Sequence, residues 1–403
     1  MTDKPKLLWH SNAPHAGTGY AQQTALFTPR LREEWDVGVS AFYGVEGSPI
    51  RYKDVPVYPA LAQTYGNETI RDHAKVHFPE HELRNGLVLT LMDVWILNPA
   101  VWSQLNTICW APVDHDPLPP PIAEFLEAAQ AVPMAMSRYG EERFRSAGFD
   151  PLYCPHAVDT SVFKPGDKAA ARAELKIPED AYVVGCVAAN KGNPSRKAFP
   201  ELFEAVKRLR REHEDVILFL HTEVTGRFDG VDLPKLIDQV GLPRDSVMFG
   251  DQYRAVHYPY PPEAMARIYS TFDVLSLATQ GEGFGIPVLE AQACGVPVIV
   301  SEFSAQPELV GFGWTVKGWR FYTPLKAWQF NPDPGSLHEA LTKAYAARSA
   351  PVQHACREFA LQYDIERVLE EHMRPALEEA RERFSARQPI KVPRDASAGF
   401  AKV

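Results

Sequence analysis

No run of apolar residues in the chain approaches the length needed to cross a membrane, and Leu7-Leu8-Trp9 is too short an apolar core for a secretory signal. A protein that is not integral to a membrane is the expectation. Cationic excess is also absent. The 42 Lys and Arg stand against 51 Asp and Glu, a formal net charge of −9. That balance argues against general polyanion binding, which rests on clustered Lys and Arg, though a local basic groove stays open. Cysteine is sparse. Cys109, Cys154, Cys186, Cys294 and Cys356 are odd in number, widely spaced and mostly inside apolar runs, which favours buried free thiols and a cytoplasmic location over a disulfide framework. Low-complexity tracts and repeats at solenoid periods are missing as well, so the 35 prolines belong to ordered loops and strand ends.

At 403 residues the chain exceeds what a single core usually supports, and two domains are expected. Its rhythm agrees. Short apolar runs at 6–10, 38–42, 87–91, 107–113, 131–136 and 151–155 alternate with helical patterns, and the alternation restarts at 182–188, 216–221, 246–249, 274–278 and 296–300. Two Rossmann-like domains with parallel sheets follow, joined near residues 163–168. The helix at 199–213 places Phe199, Leu202, Phe203, Val206 and Leu209 on one face, and its Lys207 to Arg211 basic run reads as a solvated opposite face. A charged helix at 365–384 is expected to break at Pro375, and residues 387–403 to form a mobile or draped tail.

The most informative stretch runs from Gln280 to Val300. An apolar run at 269–278, read as a buried strand, leads into Gly281-Glu282-Gly283-Phe284-Gly285, and 286–293 then has helical spacing. A glycine turn opening a helix offers free backbone N–H groups and the positive end of the helix dipole, which together attract a diphosphate. Glu282 in the turn and Glu290 about 12 Å further along the helix can flank such a group. One carboxylate suits sugar hydroxyls and the other a ribose, so the segment reads as a nucleotide-sugar site. Gly295 suits the helix C-terminus and Pro297 blocks its continuation.

Glu282-Gly-Phe-Gly-Ile-Pro-Val-Leu-Glu290-Ala, followed by Gly295-Val-Pro-Val, resembles the signature of retaining glycosyltransferases of the GT-B fold, the "group 1" type that includes sucrose synthase and many bacterial mannosyl- and glucosyltransferases. Gly17-Thr18-Gly19-Tyr20, Cys154-Pro155-His156-Ala157-Val158-Asp159-Thr160 with Phe163-Lys164-Pro165, Arg196-Lys197 and Pro307-Glu308-Leu309-Val310 agree in order. The resemblance spans nearly the whole chain. It implies an α/β GT-B architecture: an acceptor-side domain at 1–165, a donor domain at 166–364, and a segment at 365–403 whose helix crosses back onto the first domain. It implies that Glu282 holds donor-sugar hydroxyls, that Gly283, Phe284, Gly285 and Ile286 line the sugar and diphosphate, and that Glu290 binds ribose. Arg196 and Lys197 resemble the cationic pair that neutralises the departing diphosphate. Many relatives carry the arginine five or six residues before the lysine, where this chain has Asn190-Lys191-Gly192-Asn193, so Lys191 is a second candidate for that role. In the first domain the resemblance implies that Gly19 lies beside the donor, and that His115, with Asp114 next to it, touches the donor sugar.

Asp114-His115-Asp116 also fits the short aspartate motif of metal-dependent glycosyltransferases of another fold, but the paired Rossmann rhythm opposes that reading, and neither a metal nor another cofactor is expected. His156, where relatives often have asparagine, reads as a hinge-strand residue. The aromatic stretches 253–262 and 313–330 fit core filling, a subunit contact or stacking on an acceptor ring. The function implied is transfer of a hexose-like sugar from a nucleoside diphosphate to an acceptor hydroxyl, with no protein nucleophile. A glycoside phosphorylase or synthase on the same fold, and a catalytically silent sugar-nucleotide scaffold, are the rivals. The acceptor stays open among glycan, lipid, protein, small molecule and modified nucleic-acid base, as do the donor base, its sugar and the oligomeric state.

Overall fold

The computed structural model describes residues 4–386 apart from 63, 193, 258 and 259. The tail expected at 387–403, Asn193 and part of the 253–262 stretch lie outside the described residues. Sixteen strands are present among them: β1 (Lys6–Asn12), β2 (Asp36–Tyr43), β3 (Ile50–Tyr52), β4 (Val55–Tyr58), β5 (Leu87–Leu91), β6 (Asn106–Ala111), β7 (Val132–Ala135), β8 (Leu152–Tyr153), β9 (Tyr182–Val187), β10 (Val216–His221), β11 (Val247–Phe249), β12 (Val274–Leu277), β13 (Val298–Ser301), β14 (Gly313–Val316), β15 (Gly318–Tyr322) and β16 (Trp328–Pro332).

The apolar runs become strands buried on both faces, as β5 and β9 are along their whole length. That is the pattern of a parallel sheet covered by helices. The first sheet has the order β3-β4-β2-β1-β5-β6-β7-β8 and the second β11-β10-β9-β12-β13-β14. All pairs are parallel except the β3–β4 hairpin. In the first core Trp9 stacks on Phe27 at 5.9 Å and meets Trp110 edge-on at 5.8 Å, geometries that add to the burial of three large rings.

In each sheet the strand order reverses beside one strand, β1 in the first and β9 in the second. Ligands of open α/β sheets bind in the crevice at such a point. The two crevices face each other. A Cβ added to Gly19 would come within 3.3 Å of Ile286, one on Gly281 within 2.6 Å of the Asp114 carbonyl, and one on Gly283 within 2.4 Å of Pro112.

After the second sheet the chain returns to the first domain. Its last helical stretch, Ile365–Val368 to Arg374–Ser385, is interrupted by a π-helical turn at Leu369–Met373 directly before Pro375. Proline lacks the N–H that would continue the ladder, and the turn accommodates it. Ion pairs of Glu366 with Arg30, Arg374 with Glu34, and Arg383 with Asp150 tie the stretch to the first domain.

Local patterning fails in three places. The apolar run 269–278 is not one strand: Tyr269 belongs to the buried helix Pro262–Ser270, and β12 starts only at Val274. Periodicity cannot separate a buried helix end from a buried strand. The β3–β4 hairpin and the β15–β16 hairpin were not anticipated. The latter occupies the aromatic stretch and packs across the domain boundary rather than into either sheet.

Candidate active site

The site is built on the glycine turn. Gly285, at φ +125°, starts the helix Ile286–Ala293 with no side-chain cap; Pro287 has no N–H and Val288 N donates to the Gly285 carbonyl, which leaves the Ile286 N–H at the helix start. Thr18 caps the opposing helix Gly19–Leu31 by accepting from Ala21 N, and Asn12 holds the Thr18 hydroxyl at 2.6 Å. Two helix N-termini therefore meet where Gly19 approaches Ile286, and their dipoles favour a shared anion.

The loop after β9 is locked onto this turn through backbone groups. Gln280 N donates to the Arg196 carbonyl at 3.0 Å, and the Arg196 guanidinium donates to the Gly281 carbonyl at 3.0 Å. Lys197 Nζ lies 2.5 Å from Glu282 Oε1, while Arg196 Nη1 lies 3.8 Å from both Glu282 Oε2 and Asp114 Oδ2. Ser304 Oγ accepts from Glu282 N at 3.0 Å and fixes its backbone.

Burial alone would raise the Glu282 carboxyl pKa, but the adjacent Lys197 and then Arg196 outweigh it and hold the group below its ordinary value. On Lys197 burial wins, assisted by Arg196, and its pKa is lowered. Asp114 is likewise pressed upward by burial, but the hydrogen bond and charge of His115, then Arg196, bring it below the ordinary range.

Asp93, two residues beyond β5, joins the cluster. Burial and the Asp114 charge push its carboxyl up to about 6 against the opposing pull of Arg196 and His115. Tyr20 is raised by burial and by Asp93. Asp93 and Arg196 keep solvent-accessible surface although protein surrounds them densely. Groups so placed line the walls of a deep cleft. Asp93 was not anticipated, although its position at the C-terminal end of a strand beside the crevice is a signal that could have found it.

The remaining candidates are distributed more widely. His115 is 5% exposed, with Nδ1 2.6 Å from Asp114 Oδ1, so Asp114 rather than His115 faces Arg196. Phe284 is buried edge-on against His156 (ring centroids 5.2 Å apart), which also meets Trp110 at 4.5 Å. His156 thus wedges the linker between the domains, and its burial lowers the ring pKa to about 3. Glu290 is 3% exposed and accepts from Tyr269 Oη at 2.6 Å, and burial raises its pKa to about 7 against the hydrogen bonds from Tyr269 and Gln22. Lys191 lines a cavity of about 690 Å³ with Gly192, Arg227, Phe228 and Asp229. Its neighbour Asn190 ties the loops after β9 and β10 together by donating to the carbonyls of Glu223 and Val231. Asp116 does not join Asp114. Arg143 and Arg320 hold it at 2.5 and 2.8 Å. All five cysteines are free and buried, and among the described residues no helix is long and apolar enough to cross a membrane.

Residues 181–345 match the family described as Glycosyl transferases group 1. The D-inositol 3-phosphate glycosyltransferase of Segniliparus rotundus is 30% identical over 208 residues, 50% of this chain and 42% of that protein. The protein of the same description from Stackebrandtia nassauensis is 37% identical over 153 residues, covering 36% and 32%. The chain thus matches less than half the length of these relatives. Among solved structures, sucrose-phosphate synthase from Thermosynechococcus elongatus superimposes with a TM-score of 0.71 at 19% identity, covering 95% of this chain and 100% of that one. Anabaena HepE in complex with UDP-glucose does so at 0.64 and 17%, covering 94% and 99%. The chain therefore has the GT-B architecture. Residues 181–345, which match that family, hold Lys191, Arg196, Lys197, Glu282 and Glu290.

Proposed function

We propose that the protein is a retaining glycosyltransferase that moves a hexose-like sugar from a nucleoside diphosphate to an acceptor hydroxyl in the cytoplasm. One observation carries the reading. Across the domain boundary, two helix N-termini converge with Arg196, Lys197 and Glu282 on the glycine turn, a set matched to a diphosphate on one side and sugar hydroxyls on the other. In the bound state Arg196, Lys197 and the helix starts meet the diphosphate, and Glu282 meets the sugar. The acceptor oxygen bonds to the anomeric carbon on the face from which the diphosphate departs. The carbon–oxygen bond to phosphate breaks, the acceptor proton passes to a phosphate oxygen, and the configuration is kept. Catalysis on this reading is positioning and charge stabilisation between closed domains, without a metal. HepE was solved with UDP-glucose, and a UDP-hexose is the first donor to try. Five buried free thiols support the reducing location.

The test is slow hydrolysis across a panel of nucleotide sugars, since water substitutes for the unknown acceptor. Release of nucleoside diphosphate and α-configured sugar from one donor is the expected result. Phosphate-driven cleavage of an oligosaccharide, without any nucleotide, would favour a phosphorylase, and nucleotide-sugar binding without hydrolysis or transfer to any acceptor a silent scaffold.

A further inference from the structure

Strands β15 and β16 form a two-stranded hairpin, a unit that is marginal by itself in water. It is anchored at two points along one edge of β16. Trp328 exchanges both backbone hydrogen bonds with Asp116 of the first domain, at 2.8 and 3.0 Å, and two residues later Phe330 N donates to the Gln280 carbonyl at 3.0 Å. Gln280 opens the glycine turn, and Asp116 lies two residues beyond Asp114. A single strand therefore sets the spacing between the two halves of the site.

Side chains reinforce that link. Arg320 on β15 lies 2.8 Å from Asp116 Oδ2, whose other oxygen Arg143 holds. Phe330 stacks on Phe303 at 5.5 Å, Phe303 meets Tyr139 at 6.1 Å, and Tyr139 Oη donates to the His115 carbonyl at 2.9 Å. Glu308 accepts from the backbone N–H groups of Arg138 and Tyr139, capping a first-domain helix from the second domain.

We propose that this hairpin is a clasp between the domains and that Arg320 is its positioning residue, acting through Asp116 to seat Asp114 against Arg196. The proposal rests on the glycosyltransferase reading for its kinetic consequence. It separates from a structural role by magnitude. The Arg320 side chain is 56% exposed, and ion pairs made by exposed side chains contribute little to stability. A strand end displaced by about 1 Å, in contrast, can cost roughly a hundredfold in rate.

The experiment compares the full chain with Arg320→Ala and Arg320→Lys, measuring UDP affinity by calorimetry, turnover of the donor found in the panel, melting temperature, and radius of gyration in solution with UDP bound. For Arg320→Ala the clasp predicts UDP affinity within about twofold of the parent, a kcat lowered at least roughly tenfold with little change in donor KM, an unchanged melting temperature and a larger radius. Arg320→Lys, which keeps the charge facing Asp116, recovers most of the kcat. Unchanged kcat in Arg320→Ala overturns the proposal, as does a kcat loss that falls together with UDP affinity and melting temperature. If the parent protein turns over no donor, the glycosyltransferase reading fails by itself. The radius then decides the clasp, and an unchanged radius in Arg320→Ala overturns it.

Discussion

Replacing Lys197 by Met leaves the Glu282 carboxylate as a buried charge without its nearest partner. The two side chains are 10% and 12% exposed and 2.5 Å apart. Removing one member of a buried pair costs about 3–5 kcal/mol, because the survivor keeps its desolvation penalty and loses its compensation. Arg196, at 3.8 Å, shields Glu282 in part, which places the loss near the lower end, about 3 kcal/mol. Urea unfolding at pH 7 measures it, and Glu282→Gln together with Lys197→Met completes a double-mutant cycle in which the pair destabilises by clearly less than the sum of the singles. The pH dependence has a fixed sign. Glu282 is held below its ordinary value in the folded state, so its contribution is present above the unfolded carboxyl pKa of about 4.3 and disappears as pH falls through the folded value. The gap between parent and Lys197→Met should therefore narrow in acid. Donor hydrolysis by the variant should fall by roughly 10²–10³-fold, the scale of losing one preorganised charge at a departing group. A variant within about 0.5 kcal/mol of the parent at pH 7, additive with Glu282→Gln, would refute the reasoning.

Gly283→Ala would drive a Cβ into Pro112 at 2.4 Å from its Cβ and 2.7 Å from its Cα, neither of which a rotamer change can move aside. The domains should then fail to close, with UDP binding retained and donor turnover lost, and a fully active variant would show that the closed packing is not needed. Glu290 carries a pKa raised to about 7 by burial, so its stabilising protonated form is complete below the unfolded value and is lost as pH rises through 7. Glu290→Gln should match the parent in unfolding free energy near pH 4.5 and exceed it by about 3 kcal/mol at pH 8, and a gap that does not change with pH counts against the assignment.

Much was legible locally. A parallel sheet buried on both faces writes itself as uninterrupted apolar runs, so eleven of the strands and the two-part organisation were readable from spacing. A glycine turn opening a helix is likewise a short-range pattern, and the helix Ile286–Ala293 begins and ends where the residues indicate. The glycine turn and the resemblance to group 1 glycosyltransferases also singled out Glu282, Arg196 and Lys197 as the candidates for a sugar and a diphosphate.

What only the tertiary structure decided is which groups meet across the cleft. Asp93 and Asp114 come from two loops and Tyr20 from a helix start, far apart in the chain, and they surround Arg196 because two switch points face each other. No pattern along the sequence encodes that apposition. The β15–β16 hairpin shows the same limit more sharply. Its aromatics favoured a core or a subunit contact over an acceptor platform, and its actual place was set by backbone hydrogen bonds to Asp116 and Gln280. Backbone groups are the same in every residue, so the sequence could not announce them. Only the fold brings those donors and acceptors within reach of one another.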